Sequence, residues 1–409
     1  MNHQFTKIRQ QFERPVIANI EQAVASQLNA EKLQFAPGAR IAIGAGSRGI
    51  ANIARITGAV AAAVKARGGQ PFIFPAMGSH GGATGEGQRE ILASYGITED
   101  AMGCPIRSSM EVVPVDNGGL ELPLFMDKHA AESDGIILVN RIKPHTAFHG
   151  DYESGLIKMS VIGLGKERLA SEIHAYGIYG LKTLLPQAGK RLLETGKILL
   201  GVGIVENAYD ETAIIEAMTP PEILTREPEL LALAKQMLPR FPLDDIDVLV
   251  VDRLGKDISG SGMDPNIIGR MRIRGEADAE SPRIKVIVVT DLTDASHGNA
   301  CGIGLADVTT RRLADKVDWH ATYTNGVTSG FYEHFMLPIV ADTDAQALSW
   351  GIRASHDPRA AKKIVRIKDT LHLSELYVSD AVLAAVKNNV EILGEPQSLF
   401  DESGSLQAF

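Results

Sequence analysis

Residues 134–158 read DGIILVNRIKPHTAFHGDYESGLIK. The opening apolar run, 134–142, has the character of a buried strand. The remainder, from Lys143 to Lys158, packs two histidines, the acids Asp151 and Glu153 and a lysine at each end into sixteen residues. A strand that runs straight into a polar loop is the unit of an open α/β sheet, whose ligands sit beyond the carboxyl ends of the strands. The same unit recurs on both sides of it. RIAIGAG (40–46) leads into an alanine-rich helix at 51–67, QPFIFPAMG (70–78) into a helix at 85–96, and ILLGVGIVENAYD (198–210) reads as a further strand. A helical period also marks 15–30. Strands alternating with helices imply a largely parallel sheet covered on both faces. The strand ends then carry GAGSRG, MGSHGG, NRIKPHT and VENAYD, so topology alone predicts that these loops converge.

At 409 residues the chain exceeds what one hydrophobic core usually serves. The segment 225–245 reads as a helix closed by Pro239 and Pro242, and it is the expected junction. The expectation is two α/β domains with largely parallel sheets, 1–240 and 241–409, and an active site in the cleft between them. In the second, IDVLVVDRLGKDISGSGMDP and RIKVIVVTDLTDASHGNACGIG repeat the strand-to-loop pattern, and 343–355 and 379–393 read as late helices. With 44% apolar and 22% charged residues the composition is that of a globular protein. A net charge of -9, from 41 basic and 50 acidic residues, argues against a nucleic-acid partner. No apolar run approaches the roughly 18 residues needed for a membrane span, and the polar start shows no signal peptide. Two cysteines, Cys104 and Cys301, make neither a disulfide framework nor a cysteine metal cluster, so a cytoplasmic protein is expected.

Gly44-Ala45-Gly46-Ser47-Arg48-Gly49 spells the dinucleotide pattern GxGxxG. It lacks an acid at the end of the following strand to hold a ribose, and Arg48 places a cation in the turn. Ser47, Arg48 and the helix start suit a phosphate or carboxylate better. Of eleven histidines, His3, His129, His334, His356 and His372 read as structural or solvated. His80, His145, His149, His174, His297 and His320 lie in or near strand-end loops or polar clusters. Several histidines on converging loops point to acid–base or metal work, although HExxH is absent. Lys158 precedes an apolar stretch, where a lysine can lose its proton and act as a nucleophile. The plainer reading pairs it with Glu153 or Asp151.

These motifs together resemble the lactate racemase family, enzymes that use a nickel-pincer nucleotide. MGSHGGATGEGQREIL (77–92) is similar to the family's glycine-small-histidine loop. KPHT, ESGLIK and IGLG resemble its Pro-His segment and its Ser-Gly-x-x-Lys, with His174 as the second histidine sixteen residues beyond Lys158. GSRG matches a Thr-Arg turn. The specific likeness covers residues 40–180 and continues loosely through the second domain.

The resemblance implies an isomerase, a racemase or epimerase of a 2-hydroxy acid, that depends on other enzymes to make its cofactor. It implies that Lys158 carries the nucleotide covalently, with His174 completing nickel coordination. His80 and His145 would be the acid–base pair, and Ser47 and Arg48 would lie near cofactor and substrate. In that chemistry one histidine takes the substrate's hydroxyl proton while its α-hydrogen leaves as hydride to the cofactor's pyridinium ring. Hydride return to the opposite face of the 2-oxo acid inverts the centre. Two departures stand out. His145 lies thirteen residues before Lys158 and His149 nine before it, so motif and spacing pick different second bases. Lys256-Asp257 is kept, but Asn266 and Arg270 follow where the family has a lysine for the substrate carboxylate. Lys256, Asn266 and Arg270 are then the expected second-domain contacts, and the substrate is expected to differ from lactate or to be held differently. Without nickel, the same scaffold would suit an isomerase or dehydrogenase-like enzyme, or a small-anion-binding protein.

Overall fold

The computed structural model describes residues 4–46, 49–386 and 388–409. The chain divides into two units, one of residues 13–237 and one joining the first twelve residues to 238–409. Each is α/β. The first strand, β1 (Phe5–Arg9), is followed by β2 (Arg40–Ala45), β3 (Gln70–Pro75), β4 (Val112–Val115), β5 (Leu124–Asp127), β6 (Gly135–Arg141), β7 (Ile198–Glu206) and β8 (Thr212–Met218). In the 13–237 unit the sheet order is β3-β2-β6-β7-β8, parallel except for the last pair, and β4 and β5 form a separate antiparallel pair. Ala45 pairs with both Pro75 and Val139, so three strands end level.

Side chains alternate across β2. Ile41, Ile43 and Ala45 join a core with Ile56, Val60 and Val64 of the helix Ile53–Ala66. The opposite face of the sheet receives the helix Pro220–Gln236 and the short turn Leu156–Lys158. Gly201 in β7 makes this possible: a Cβ there would lie 2.6 Å from Leu156 and 2.9 Å from Ile223. Pro220 and Pro221 open that helix where proline costs nothing, and Thr219 with Glu222 forms its capping box. The helix ends at Gln236, within the expected junction.

The second unit adds β9 (Asp245–Leu254), β10 (Arg283–Leu292), β11 (Val308–Thr310), β12 (Ile339–Ala341), β13 (Ile364–Ile367), β14 (Glu375–Ser379) and β15 (Glu391–Ile392). Its eight-stranded order is β12-β11-β10-β9-β13-β14-β1-β15, with the first five parallel. Leu249 and Val251 of β9 face one core and Val248 and Val250 the other, which is why this strand reads as unbroken hydrophobicity.

Two expectations about extent change. The first twelve residues fall with the second unit, because β1 pairs antiparallel with both β14 and β15 and buries Phe5 and Ile8 completely. The helix read at 379–393 stops at Val386, since Glu391 and Ile392 pair with β1. Cys104 and Cys301 are both buried. Among the described residues no helix is long and apolar enough to cross a membrane.

Ile8→Ala should cost about 2–5 kcal/mol, the usual range for emptying a buried isoleucine site. In calorimetry the loss should fall on the unfolding transition of the second unit. A shift confined to the 13–237 transition would contradict the assignment of β1.

Candidate functional site

The level ends of β2, β3 and β6, with β7 beside them, put four polar loops along one edge of the sheet. Arg141 at the end of β6 is ion-paired with Glu206 at the end of β7, and Glu206 also accepts from the Ala51 amide at 2.6 Å. Asn140 donates to the Gly155 carbonyl at 2.9 Å, drawing the 143–158 loop back over its own strand. Lys143 and Ser154 close that loop with paired backbone hydrogen bonds of 2.8 and 3.2 Å.

Glu153 organises the interior of the loop. Its buried carboxylate accepts from the His145 amide at 2.6 Å, the Gly150 amide at 3.2 Å and Lys235 Nζ at 2.6 Å, and meets His149 Nδ1 at 3.3 Å. Burial pushes this carboxyl's pKa up, but His149, Lys235 and the His145 amide outweigh it and hold it below the ordinary value. Glu153 is thus bonded to Lys235, and Lys158 turns elsewhere. Its Nζ lies 2.5 Å from His145 Nε2.

The Ala147 amide donates to His145 Nδ1 at 3.1 Å, and Lys158 Nζ faces Nε2 on the other side of the ring. Phe148 stacks on the ring, 4.6 Å between centroids, and fixes its plane.

The turn Leu156–Lys158 is held from beneath by Glu227, whose carboxylate accepts from the Leu156 and Ile157 amides at 3.1 and 3.0 Å. Burial raises Glu227 to about 8, against the lowering by those two amides, and its Oε1 has no hydrogen-bond partner among the described residues.

His174, on the helix Lys166–Ala175, donates through Nδ1 to the Ala170 carbonyl at 2.7 Å. Its pKa is lowered chiefly by burial, partly offset by that bond, and further by the charge of Lys158. A neutral imidazole with Nδ1–H engaged presents Nε2 for ligation, the arrangement metal-binding histidines usually have. Among the described residues no group of three or more His, Cys, Asp or Glu side chains could hold a metal. A metal on His174 would therefore need donors from a bound organic group, and the residues present fit a cofactor of that kind.

His80 lies in the loop after β3, where Gly78, Gly81, Gly82 and Ala83 all have positive φ. The Gln88 side-chain amide holds this loop, donating to the carbonyls of Gly78 at 2.8 Å and His80 at 3.2 Å. A Cβ on Gly78 would lie 2.9 Å from Ile162 and 3.8 Å from Ala170. The His80 loop thus packs on the helical segment that continues from Lys158 and on the helix that carries His174.

Ser47 and Arg48 lie outside the described residues. Lys256, Asn266 and Arg270 belong to the second unit. Asp264 caps a short turn, its Oδ1 accepting from both the amide and the side-chain nitrogen of Asn266, and the Lys256 amide donates to Ser296 Oγ. Arg270, expected to face a ligand carboxylate, is buried and engaged instead. It pairs with Asp307 at 2.7 Å and donates to the carbonyls of Leu305 and Ile284. His334 is buried against the Met271 carbonyl, while His297 and His320 are exposed in the second unit. Glu227 was missed by sequence reasoning. Its signal was an acid at a core position of the stripe Ile223, Glu227, Leu230, Leu231, Ala234.

No protein-family model matches this sequence, and no curated protein matches it. Solved structures do. The fold is similar to that of a lactate racemase. Superposition on the lactate racemase apoprotein from Thermoanaerobacterium thermosaccharolyticum gives a TM-score of 0.54 at 14% identity, covering 90% of this chain and 98% of that one. At that identity the likeness is one of fold, and it spans both α/β units.

Glu227 gives a pH signature. With a folded value of about 8 against an ordinary 4.5, the native state holds this proton more tightly than the unfolded chain does. Its contribution is full below the unfolded value and is lost as pH rises through the folded one. Glu227→Gln keeps an acceptor oxygen for the two amides but cannot ionise. Between about pH 5 and about pH 9 the melting temperature of the wild type should fall by several degrees relative to Glu227→Gln. Parallel melting curves would count against a raised Glu227.

Proposed function

We propose that this protein is a racemase or epimerase of a 2-hydroxy acid that works with a nickel-pincer nucleotide supplied by other enzymes. The observation that carries the reading is Lys158 Nζ against His145 Nε2, with His174, whose pKa burial lowers, close enough to feel the lysine's charge. The fold similarity to a lactate racemase supports it. Lys158 would hold the nucleotide covalently and His174 Nε2 would ligate the nickel. When bound, the group supplies a hydride acceptor for the substrate's α-hydrogen.

The remaining work falls to the chain's own residues. His145 Nε2 orients the Lys158 nitrogen. With the nucleotide held on Lys158, His145 Nε2 would face the substrate. His145 and His80 then hold and move the proton of the substrate hydroxyl, one for each enantiomer, because the two hydroxyls point to opposite sides. Imidazoles titrating near ~6.5 suit both directions. The choice of His145 over His149 is supported by the engagement of His149 with Glu153. For the substrate carboxylate the reading retains Arg48, since both terminal nitrogens of Arg270 already donate within the second unit. A panel of chiral 2-hydroxy acids would name the substrate.

Protein co-expressed with the cofactor-synthesis enzymes should contain nickel and an added mass on Lys158. It should interconvert the enantiomers of a 2-hydroxy acid and retain deuterium at the α-carbon. Lys158→Ala should lose the adduct and at least ~10³-fold in kcat, as expected when a covalent anchor is removed. Turnover with α-deuterium washed out, unaffected by Lys158→Ala, would point to a nickel-independent proton-transfer isomerase. Anion binding without turnover would overturn the enzyme reading altogether.

A further inference from the structure

Lys166 is fully buried, and its backbone φ is +55°. This is the left-handed region that glycine occupies freely and a long side chain does not. It follows Gly165 and opens the helix that bears His174, just after the segment that continues from Lys158. Backbone convenience alone would put glycine here, so the side chain is the reason for lysine. Its ammonium donates to the Pro75 carbonyl at 2.5 Å and to Gln88 Oε1 at 3.1 Å, and is ion-paired with Asp127 Oδ2 at 3.1 Å. Asp127 and Gln88 are as deeply buried as the lysine, and the ring of Phe74 lies 5.9 Å from Nζ.

Each acceptor leads somewhere. Pro75 is the last residue of β3, where the His80 loop begins. Gln88, with its oxygen taken by Lys166, is oriented so that its amide nitrogen reaches the Gly78 and His80 carbonyls. Asp127 ends β5, caps the turn Lys128–Ala131 through Oδ1 and supplies the counter-charge through Oδ2. A buried lysine is costly, and a hydrophobic residue would fill the same space at lower cost. What the hydrophobic residue could not do is fix the rotation of Gln88 and the end of β3 together.

We infer that Lys166 is a positioning residue that sets the His80 loop against the two helical segments carrying Lys158 and His174. It acts through Gln88 and the Pro75 carbonyl and does not touch substrate. The inference rests on the proposed function for the role of His80, while the mechanical coupling stands apart from it.

Lys166→Met alone would strand the Asp127 carboxylate in the interior and can simply unfold the protein. The test therefore uses Lys166→Met with Asp127→Asn, which removes both charges together, and Gln88→Leu as a second variant with the charge pair intact. Hydrogen exchange on the apoprotein should show residues 76–84 exchanging at least ~10-fold faster in both variants, with the Leu156–Lys158 turn unchanged. Nickel content and the Lys158 adduct should match the wild type. In the loaded enzyme kcat should fall ~10²-fold with KM within a factor of two, and the limb of the pH–rate profile that reports the His80 base should shift. Unchanged exchange over 76–84 in both folded variants would overturn the coupling. Faster exchange with an unchanged kcat and pH profile in the loaded enzyme would reduce Lys166 to a structural role. A wild type that takes up no nickel and racemises nothing would sink the proposed function and leave the exchange result to decide the coupling.

Discussion

The loop that carries the candidate chemistry depends on one buried carboxylate. Glu153 gathers two backbone amides, an imidazole and the ammonium of Lys235, and so turns a polar segment inward that would otherwise be solvated. An isolated carboxylate in that position would be protonated or expelled, because burial of a lone charge costs several kcal/mol. Four donors make it stable as an anion. Glu153 is bonded to Lys235, and Lys158 Nζ meets His145 Nε2. Remove that arrangement and the same residues form an ordinary surface salt bridge.

Much of this architecture was legible in the amino-acid order. The strands β2, β3, β6 and β7 stand out as apolar runs ending in glycine or polar clusters, and the helices between them have clear periodicity. That made a parallel sheet and its loaded edge predictable. The roles proposed for Lys158, His145 and His174 came from the resemblance to the lactate racemase family, carried by short local motifs. The supports were not legible, because each is a pairing between residues far apart in sequence. Lys235 lies 82 residues from Glu153, Glu227 lies 71 from the amide it holds, and Lys166 lies 91 from Pro75. Local propensity carries no information about such partners. Arg270 shows the same limit from the other side, since nothing near it in sequence announces Asp307 or the two carbonyls that absorb its charge.

The buried ionisable groups follow a pattern. Glu153, Glu227 and the Lys166–Asp127 pair are each sunk beneath one of the loops at the sheet's edge, and each fixes backbone amides or carbonyls. Charges used in this way trade stability for geometry. In the second unit Arg366 is paired with Asp252, packs beside the rings of Tyr377 and Phe409 and donates to the Gln407 carbonyl at 2.6 Å.

The placement of β1 has a consequence for how the molecule is made. The strand is synthesised before residues 13–237, yet its partners at 375–379 and 391–392 come after them. The whole of 13–237 is complete before those partners are made, with every strand neighbour of its sheet available, and can fold as a unit while the chain lengthens. During that interval Phe5 and Ile8 wait for the core that buries them, tethered to a finished neighbour. The second unit therefore closes around a strand older than the unit beside it in sequence.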